Sequence, residues 1–208
     1  MRALIFKQPG AIETVELAQL PLPVPEKGQV RLRLTSAGLN RADILFPEGR
    51  YFSKPEFSSL APDETSSSSI FCRLGFEGAG IIDEVGSDVS YKIGDRVAIV
   101  PLALDVSRQG CLAEYGIYEA TSLIPTPNTI PDHEAGSIWM QYLTAWGGLV
   151  IDGHLKKGQS VVITAASSSV GIAAIQVANM LGAVTLATTT STEKVEQLKQ
   201  LGAQHVIN

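Results

Sequence analysis

A run of small residues between an apolar segment and a helix-like segment has the composition of a phosphate-binding turn. Small side chains suit such a turn because the backbone must bend sharply and approach its ligand closely. The backbone N–H groups and the dipole at the start of the following helix favour the pyrophosphate of a dinucleotide. Ser168 stands where the usual pattern has its central glycine, and a serine-rich helix cap without a ligand is the alternative interpretation. We assign to the cofactor site the residues Ala165, Ser167, Ser168, Ser169, Val170 and Gly171.

The segment Thr188-Thr189-Thr190-Ser191-Thr192-Glu193-Lys194 indicates which dinucleotide binds. Folds that bind NAD place an acidic residue at the end of the second strand, whereas folds that bind NADP omit it and supply a cation. Hydroxyl side chains, and no acid, occupy this strand end, and the Lys194 ammonium that follows would attract a 2′-phosphate. Glu193 argues against NADP, unless it is an acidic residue of the first helical turn that the helix dipole favours. The alternative to a phosphate contact for Lys194 is that it is an ordinary solvated helix residue. We predict NADP(H), with contacts from Thr188, Ser191 and Lys194.

These chemical groups need a scaffold, and from Asp132 onward the chain alternates helical patterns with apolar, β-branched runs. Strands are predicted over 159–165, 184–188 and 204–208, and helices over 131–150, 170–181 and 192–201. The order β-α-β-α-β is typical of a doubly wound parallel sheet, whose strands are covered on both faces. A complete dinucleotide-binding fold has two such halves, so we expect a truncated Rossmann sheet.

The first part of the chain has a different sequence pattern, in which short strand-like segments are separated by glycine and proline. Residues 30–34 alternate apolar and charged side chains, and 80–86 and 95–100 are further strand candidates. Many short strands at this spacing predict a small β-barrel. The serine-rich segment 57–69 is predicted to be a mobile loop, either a lid or a simple flexible insertion.

Composition excludes several classes of protein. The 208 residues carry a net charge of −5 without a basic block, which disfavours nucleic acid as a partner. Cys72 and Cys111 are too few and too far apart for a disulfide framework or a structural zinc site. The apolar stretch 161–187 contains too many polar residues to cross a membrane. The expectation is a cytoplasmic protein without a membrane partner.

Five motifs, taken together, resemble the medium-chain dehydrogenase/reductase superfamily, and within it the zinc-free, zeta-crystallin-like quinone oxidoreductases. They are Ser36–Asp43 (SAGLNRAD), Gly75–Gly80 (GFEGAG), Gly94–Val97 (GDRV), Leu143–Trp146 (LTAW) and the turn Ala165–Gly171. The resemblance implies a GroES-like β-barrel domain over 1–125, which carries substrate and catalytic residues. It further implies the first half of an NADP-binding Rossmann domain over 126–208, and a homodimer for the full-length protein.

The zinc-dependent branch of the same superfamily holds its catalytic metal at three positions that this chain fills differently. The matching residues are Asn40, Phe76 and Met140. Tetrahedral zinc takes thiolate, imidazole or carboxylate ligands, so this set predicts that no metal is bound. Glu77 is retained, and without a metal it is expected to make structural hydrogen bonds.

Without zinc, the resemblance implies hydride delivery to an acceptor that is already polarised, such as a quinone or an α,β-unsaturated carbonyl. Asn40 and Tyr51 are the candidates for a hydrogen-bond donor to the developing oxyanion, and Tyr51 and Thr144 for contacts with the cofactor. Asn40 is alternatively a turn-stabilising side chain and Tyr51 a packed aromatic; the role of Arg41 stays open. The other functions considered are a trans-acting enoyl-thioester reductase and a non-catalytic nucleotide-binding or structural protein.

Overall fold

The computed structural model describes residues 1–59 and 70–208, which divide into two units, Met1–Trp139 and Met140–Asn208. The predicted domain boundary after residue 125 precedes this division. Residues 126–139 lie in the first unit because the short helix that they contain packs against its strands. No helix among the described residues is long and apolar enough to span a membrane.

Antiparallel strands form most of the first unit. Its strands are β1 Arg2–Phe6, β2 Glu16–Gln19, β3 Gln29–Ala37, β4 Ser58–Ser59, β5 Ile70–Arg73, β6 Gly78–Val85, β7 Arg96–Ile99, β8 Tyr115–Glu119 and β9 Leu123–Pro125. They make a five-stranded sheet in the order β8-β3-β6-β7-β9 and a four-stranded sheet in the order β2-β1-β5-β4. The strands predicted over 30–34, 80–86 and 95–100 are confirmed as parts of β3, β6 and β7.

The five-stranded sheet is curled because the pairing of β3 with β6 shifts register at two places, between Arg31 and Leu32 and between Leu34 and Ser36. Such bulges bend a strand and increase its twist, as a closed or nearly closed sheet requires. Alternate side chains of the strands then meet in an apolar core that includes Val30, Leu32, Ile82, Val97, Ile99 and Tyr118. The small β-barrel that the short strands predict for this unit is therefore present as a curled antiparallel sheet.

Short helices complete the first unit: α1 Ala42–Leu45, α2 Val106–Gln109 and α3 Asp132–Ala135. The single helix predicted over 131–150 is wrong. The chain instead forms α3, then α4 Trp139–Trp146, then a π-helical segment Gly147–Asp152. The hydroxyl of Ser36 donates to the Asp132 carbonyl at 2.5 Å and accepts from the Gly136 N–H at 2.9 Å. A distant strand therefore ties down both ends of α3 and interrupts the helical pattern.

The segment predicted to be mobile, 57–69, is only partly described. Phe57 packs edge-on against Phe6, with ring centroids 5.5 Å apart. Ser58 and Ser59 pair with β5, so this end of the segment is held in a sheet. The remainder of the predicted loop, 60–69, lies outside the described residues.

The second unit is a three-stranded parallel sheet in the order β10-β11-β12, with β10 Ser160–Ile163, β11 Val184–Thr188 and β12 His205–Ile207. Two helices connect the strands, α5 Ser169–Met180 and α6 Lys194–Gln200, which confirms the predicted alternation and the Rossmann-like fold. The core lies between the helices and one sheet face, where Ile163, Ala173, Ile175, Ala187 and Leu198 pack together. The expectation that both faces of β10 are covered is wrong for the described residues, because Val162 on the opposite face is 60% exposed.

Candidate functional site

The serine-rich turn lies between β10 and α5, at the position that a phosphate-binding turn requires. Ser168 is the N-cap of α5, and its side chain accepts a hydrogen bond from the Gly171 N–H at 3.1 Å. A Cβ atom on Gly171 would lie 2.6 Å from the Ala166 carbonyl oxygen, so glycine is needed for this close approach of helix and turn. Ala165 adopts a left-handed backbone conformation with φ +48. The turn is thus as tight as the sequence predicts.

A cavity of about 400 Å³ opens beyond the carboxyl ends of the parallel strands, where open α/β sheets bind their ligands. Four predicted cofactor contacts line it: Ala165, Ser167, Thr188 and Lys194. The Lys194 Nζ donates to the Ser167 Oγ at 3.3 Å, so the ammonium group stands at the turn itself. The other side chains in the lining are Thr189, Thr190, Ile207 and Asn208. This cavity therefore contains hydroxyls and one cation, without an acidic side chain among its lining residues.

The remaining predicted cofactor residues lie outside this cavity lining. Ser169 and Val170 are exposed in the first turn of α5, and the Ser191 N–H donates to the Thr189 Oγ1 at 3.2 Å. Thr144 is exposed on α4, where its hydroxyl donates to the Met140 carbonyl at 2.6 Å. Thr189 and Thr190 line the cavity but were not assigned to the site from the sequence. The run of hydroxyl residues after β11 was the signal that would have included them.

In the first unit, Asn40 is held by its neighbours rather than free to move. Its Nδ2 donates to the Glu77 Oε1 at 2.9 Å and makes a longer contact of 3.4 Å with the Gly38 carbonyl. Glu77 lies so close over Gly38 that a Cβ there would be 2.2 Å from the Glu77 Oε1. An ionised carboxylate only accepts hydrogen bonds, which fixes the orientation of the Asn40 amide. Both amide N–H groups are therefore engaged within the protein.

Tyr51 packs against Phe76, the residue that precedes Glu77. Its ring meets the Phe76 ring edge-on, with centroids 5.0 Å apart, and Phe76 in turn meets Phe46 at 5.4 Å. Partial burial, followed by the nearby charge of Asp43, raises the pKa of the Tyr51 hydroxyl. A phenol with a raised pKa stays protonated at neutral pH and acts as a donor. Of the two candidate donors, only Tyr51 has a donor group that makes no hydrogen bond within the described part of the chain.

Asp43 is a buried carboxyl that the sequence did not single out. It is 5% exposed, and its Oδ2 accepts from the Asn40 backbone N–H at 2.7 Å. Its Oδ1 makes no hydrogen bond of good geometry within the described residues, although the backbone N–H groups of Gly75 and Phe76 are near enough to lower the pKa of the carboxyl. Burial, and secondarily the Glu77 charge, raises the pKa of Asp43 to about 6, against the lowering effect of backbone N–H groups. The carboxyl thus exchanges its proton near neutral pH. Burial of Asp43 depends on long-range packing, which the local motif does not reveal.

Potential metal ligands are sparse in the described chain. Across residues 1–59 and 70–208, no group of three or more His, Cys, Asp and Glu side chains is placed to hold a metal ion. Cys72 and Cys111 are both buried, and desolvation raises the pKa of their thiols to about 11 and about 12. Thiols with raised pKa values are poor ligands, since metals bind the thiolate.

Two family models match the chain. The model for the alcohol dehydrogenase GroES-like domain matches residues 26–128, in the first unit. The model for zinc-binding dehydrogenases matches residues 169–208, from the start of α5 onward. The two matches occur in the order that the five sequence motifs predict.

Curated relatives align over nearly the whole chain. A mycocerosic acid synthase-like polyketide synthase of Mycolicibacterium smegmatis is 31% identical over 98% of this chain, which spans 9% of that protein. The human synaptic vesicle membrane protein VAT-1 homolog is 32% identical over 100% of this chain, which spans 49% of that protein. The chain therefore corresponds to less than half of each relative.

The solved structures with the same fold include proteins with different named activities. A quinone oxidoreductase of Coxiella burnetii has a TM-score of 0.84 and 30% identity, covering 100% of this chain and 62% of that one. An NAD-dependent alcohol dehydrogenase has a TM-score of 0.86 and 32% identity, with coverages of 100% and 63%. A mycobacterial protein in complex with NADPH has a TM-score of 0.81 and 25% identity, with coverages of 100% and 58%.

Proposed function

The chain belongs to the medium-chain dehydrogenase/reductase superfamily, and from this membership we propose that it transfers hydride from NADPH to a quinone or an α,β-unsaturated carbonyl without zinc. The observation that carries the proposal is the cavity at the ends of the parallel strands, where Thr188, Thr189, Thr190 and Lys194 meet the phosphate-binding turn. Hydroxyls and an ammonium suit a 2′-phosphate, whereas NAD-binding folds place an acid there.

The residues of the second unit fit a bound dinucleotide. The α5 N-terminus would provide N–H groups for the pyrophosphate, Gly171 allows the turn and the helix to approach closely, and Lys194 beside Ser167 would provide charge for the 2′-phosphate. When bound, the nicotinamide supplies the hydride. The protein then has to orient the acceptor and stabilise the charge that develops on its oxygen.

In the first unit, the side chains suit this second task. We assign the Tyr51 hydroxyl as the donor to the acceptor oxygen, because the Asn40 amide N–H groups already bond to Glu77 and Gly38. Asn40 then acts as a positioning residue, and Thr144 remains a proposed contact of the nicotinamide end. Asp43, whose pKa is raised to about 6, is mostly ionised at neutral pH, and, after burial, its charge raises the pKa of this hydroxyl and so keeps it protonated.

Acceptor assays with and without chelator test the proposal. The full-length protein is expected to oxidise NADPH with 1,4-benzoquinone or 2-cyclohexenone as the acceptor. This activity should survive prolonged treatment with the chelator 1,10-phenanthroline, because Asn40, Phe76 and Met140 do not form a zinc ligand set. Absorbance at the NADPH band follows the reaction, and elemental analysis follows the metal. Activity that is lost with zinc and restored by zinc would contradict the proposal.

A second candidate is the reduction of an enoyl thioester, which the match to a polyketide synthase favours. The same assay distinguishes the two, with crotonyl-CoA added to the acceptors. A preference for the thioester over both the quinone and the enone would support the second candidate. NADPH binding without oxidation by any of the three acceptors would instead indicate a non-catalytic relative.

Cofactor preference is tested at Lys194. The change Lys194→Glu is expected to lower the ratio of NADPH to NADH affinity by about tenfold or more, because a carboxylate replaces the ammonium that faces the 2′-phosphate and exposed charges are partly screened. Lys194→Gln, which removes charge without reversing it, should give an intermediate ratio. Fluorescence titrations with both cofactors measure the ratio. Tighter binding of NADH by the unchanged protein would rule out the NADP assignment.

A further inference from the structure

Arg73, the last residue of β5, is a buried cation that has no acidic partner among residues 1–59 and 70–208. It is 3% exposed; one guanidinium nitrogen, Nη2, donates to the Tyr115 carbonyl at 2.9 Å, and the buried Nε has no acceptor. Among the described residues, no carboxylate lies within ion-pair distance of it. Buried charges in proteins are normally paired, because desolvation of an unpaired ion is costly. An unpaired guanidinium in this position therefore calls for an anion.

Arg73 lines a cavity of about 510 Å³ in the first unit, within the size range of small-molecule sites. The other polar side chains of the lining already have partners. Asp105 lies 3.8 Å from the Arg108 Nε, and Glu119 accepts from the Gln29 amide at 2.8 Å. Gln109 likewise uses both ends of its amide, accepting from the Asp105 N–H and donating to the Ile117 carbonyl.

The rest of the lining decides what kind of anion fits. Pro21, Pro23, Ala103 and Ile117 contribute apolar surface to the cavity. The lining also contains the Met1 ammonium, which donates to the Leu20 carbonyl, and Arg108, but the carboxylates of Asp105 and Glu119 offset this positive charge and disfavour a doubly charged ligand. A guanidinium pairs well with a planar carboxylate through two parallel hydrogen bonds. A singly charged carboxylate with a short apolar body matches both the charge and the walls.

We propose that this cavity is a binding site for a small organic monocarboxylate, whose carboxylate pairs with Arg73 and whose apolar body lies against the proline-lined wall. The site belongs entirely to the first unit and shares no residue with the serine-rich turn, the Lys194 cavity, or the Asn40, Tyr51 and Asp43 group. The proposal therefore does not depend on the proposed hydride transfer.

Thermal unfolding of the full chain in sodium butyrate tests the site. The unfolding midpoint is expected to rise with butyrate by about 5 °C or more at concentrations about 100-fold above its Kd. Equal ionic strength from sodium chloride, and an equal concentration of n-butanol, should each leave the midpoint nearly unchanged. A rise with butyrate no larger than with chloride, or an equal rise with n-butanol or with inorganic phosphate, would overturn the proposal, whatever the variants show.

Two variants locate the effect. Arg73→Met is expected to abolish the butyrate-dependent rise, and without butyrate to be at least as stable as the unchanged protein, because an unpaired buried charge is removed. Arg50→Met, at a side chain that is 70% exposed and is not part of the cavity lining, is the matched control and should keep the full rise. A butyrate-dependent rise that persists in Arg73→Met would place the site elsewhere and contradict the assignment.

Discussion

Replacing Ser168 by aspartate is expected to weaken NADPH binding by about 100-fold or more while the chain stays folded. The structure places Ser168 at the N-cap of α5, with its side chain accepting from the Gly171 N–H. Aspartate is as good an N-cap as serine, and its charge suits the helix dipole, so stability should hold or rise by about 0.3–1 kcal/mol. The same charge would repel the pyrophosphate at close range, where like charges cost several kcal/mol when partly desolvated.

Ser168→Asn is the matched control for this change. Asparagine caps a helix about as well and is close in shape to aspartate, but it carries no charge. It should keep NADPH affinity within a few-fold of the unchanged protein. The pair of measurements is the unfolding midpoint without ligand and the NADPH titration. Unchanged affinity in a folded Ser168→Asp protein would mean that the turn is only a helix cap and that the nucleotide binds elsewhere.

The sequence predicted the second unit well because its signals are local. Apolar β-branched runs, helical periodicity and the glycines after each helix all lie within a few residues of the boundaries that they mark. The hydroxyl run after β11 likewise predicted the chemistry of the cavity that Lys194 and Ser167 share. Because such features are determined by residues close together in the chain, they can be predicted from the sequence alone.

The errors arose where distant parts of the chain meet. The helix predicted over 131–150 is interrupted because Ser36, on β3, bonds to both ends of α3. The bond from the Asn40 amide to Glu77, thirty-seven positions along the chain, was likewise not predicted, and the donor role of Asn40 stays a prediction. The burial of Asp43 also depends on packing against distant parts of the chain. Spacing and composition do not report which side chains become neighbours across a curled sheet.

Asp43 makes the stability of the folded chain depend on pH, and the direction of this dependence follows from its raised pKa. The folded pKa of this carboxyl is about 6, above its ordinary value of 3.8, chiefly because of burial and then because of the Glu77 charge. The native state therefore binds this proton more tightly than the unfolded chain does. Its contribution to stability is fully present below about pH 4 and is lost as the pH rises through about 6.

Asp43→Asn removes this titration and tests the assignment. The free energy of unfolding of the unchanged protein, relative to that of the variant, is expected to fall by about 2 kcal/mol between pH 4.5 and pH 7.5, since most of the effect of a shift of about two pKa units lies within that range. Urea unfolding at several pH values measures the difference. Asp88→Asn, whose side chain is 68% exposed, is the control and should run parallel to the unchanged protein. A constant offset at every pH would show that Asp43 does not titrate in the folded chain and acts only as an acceptor for backbone N–H groups.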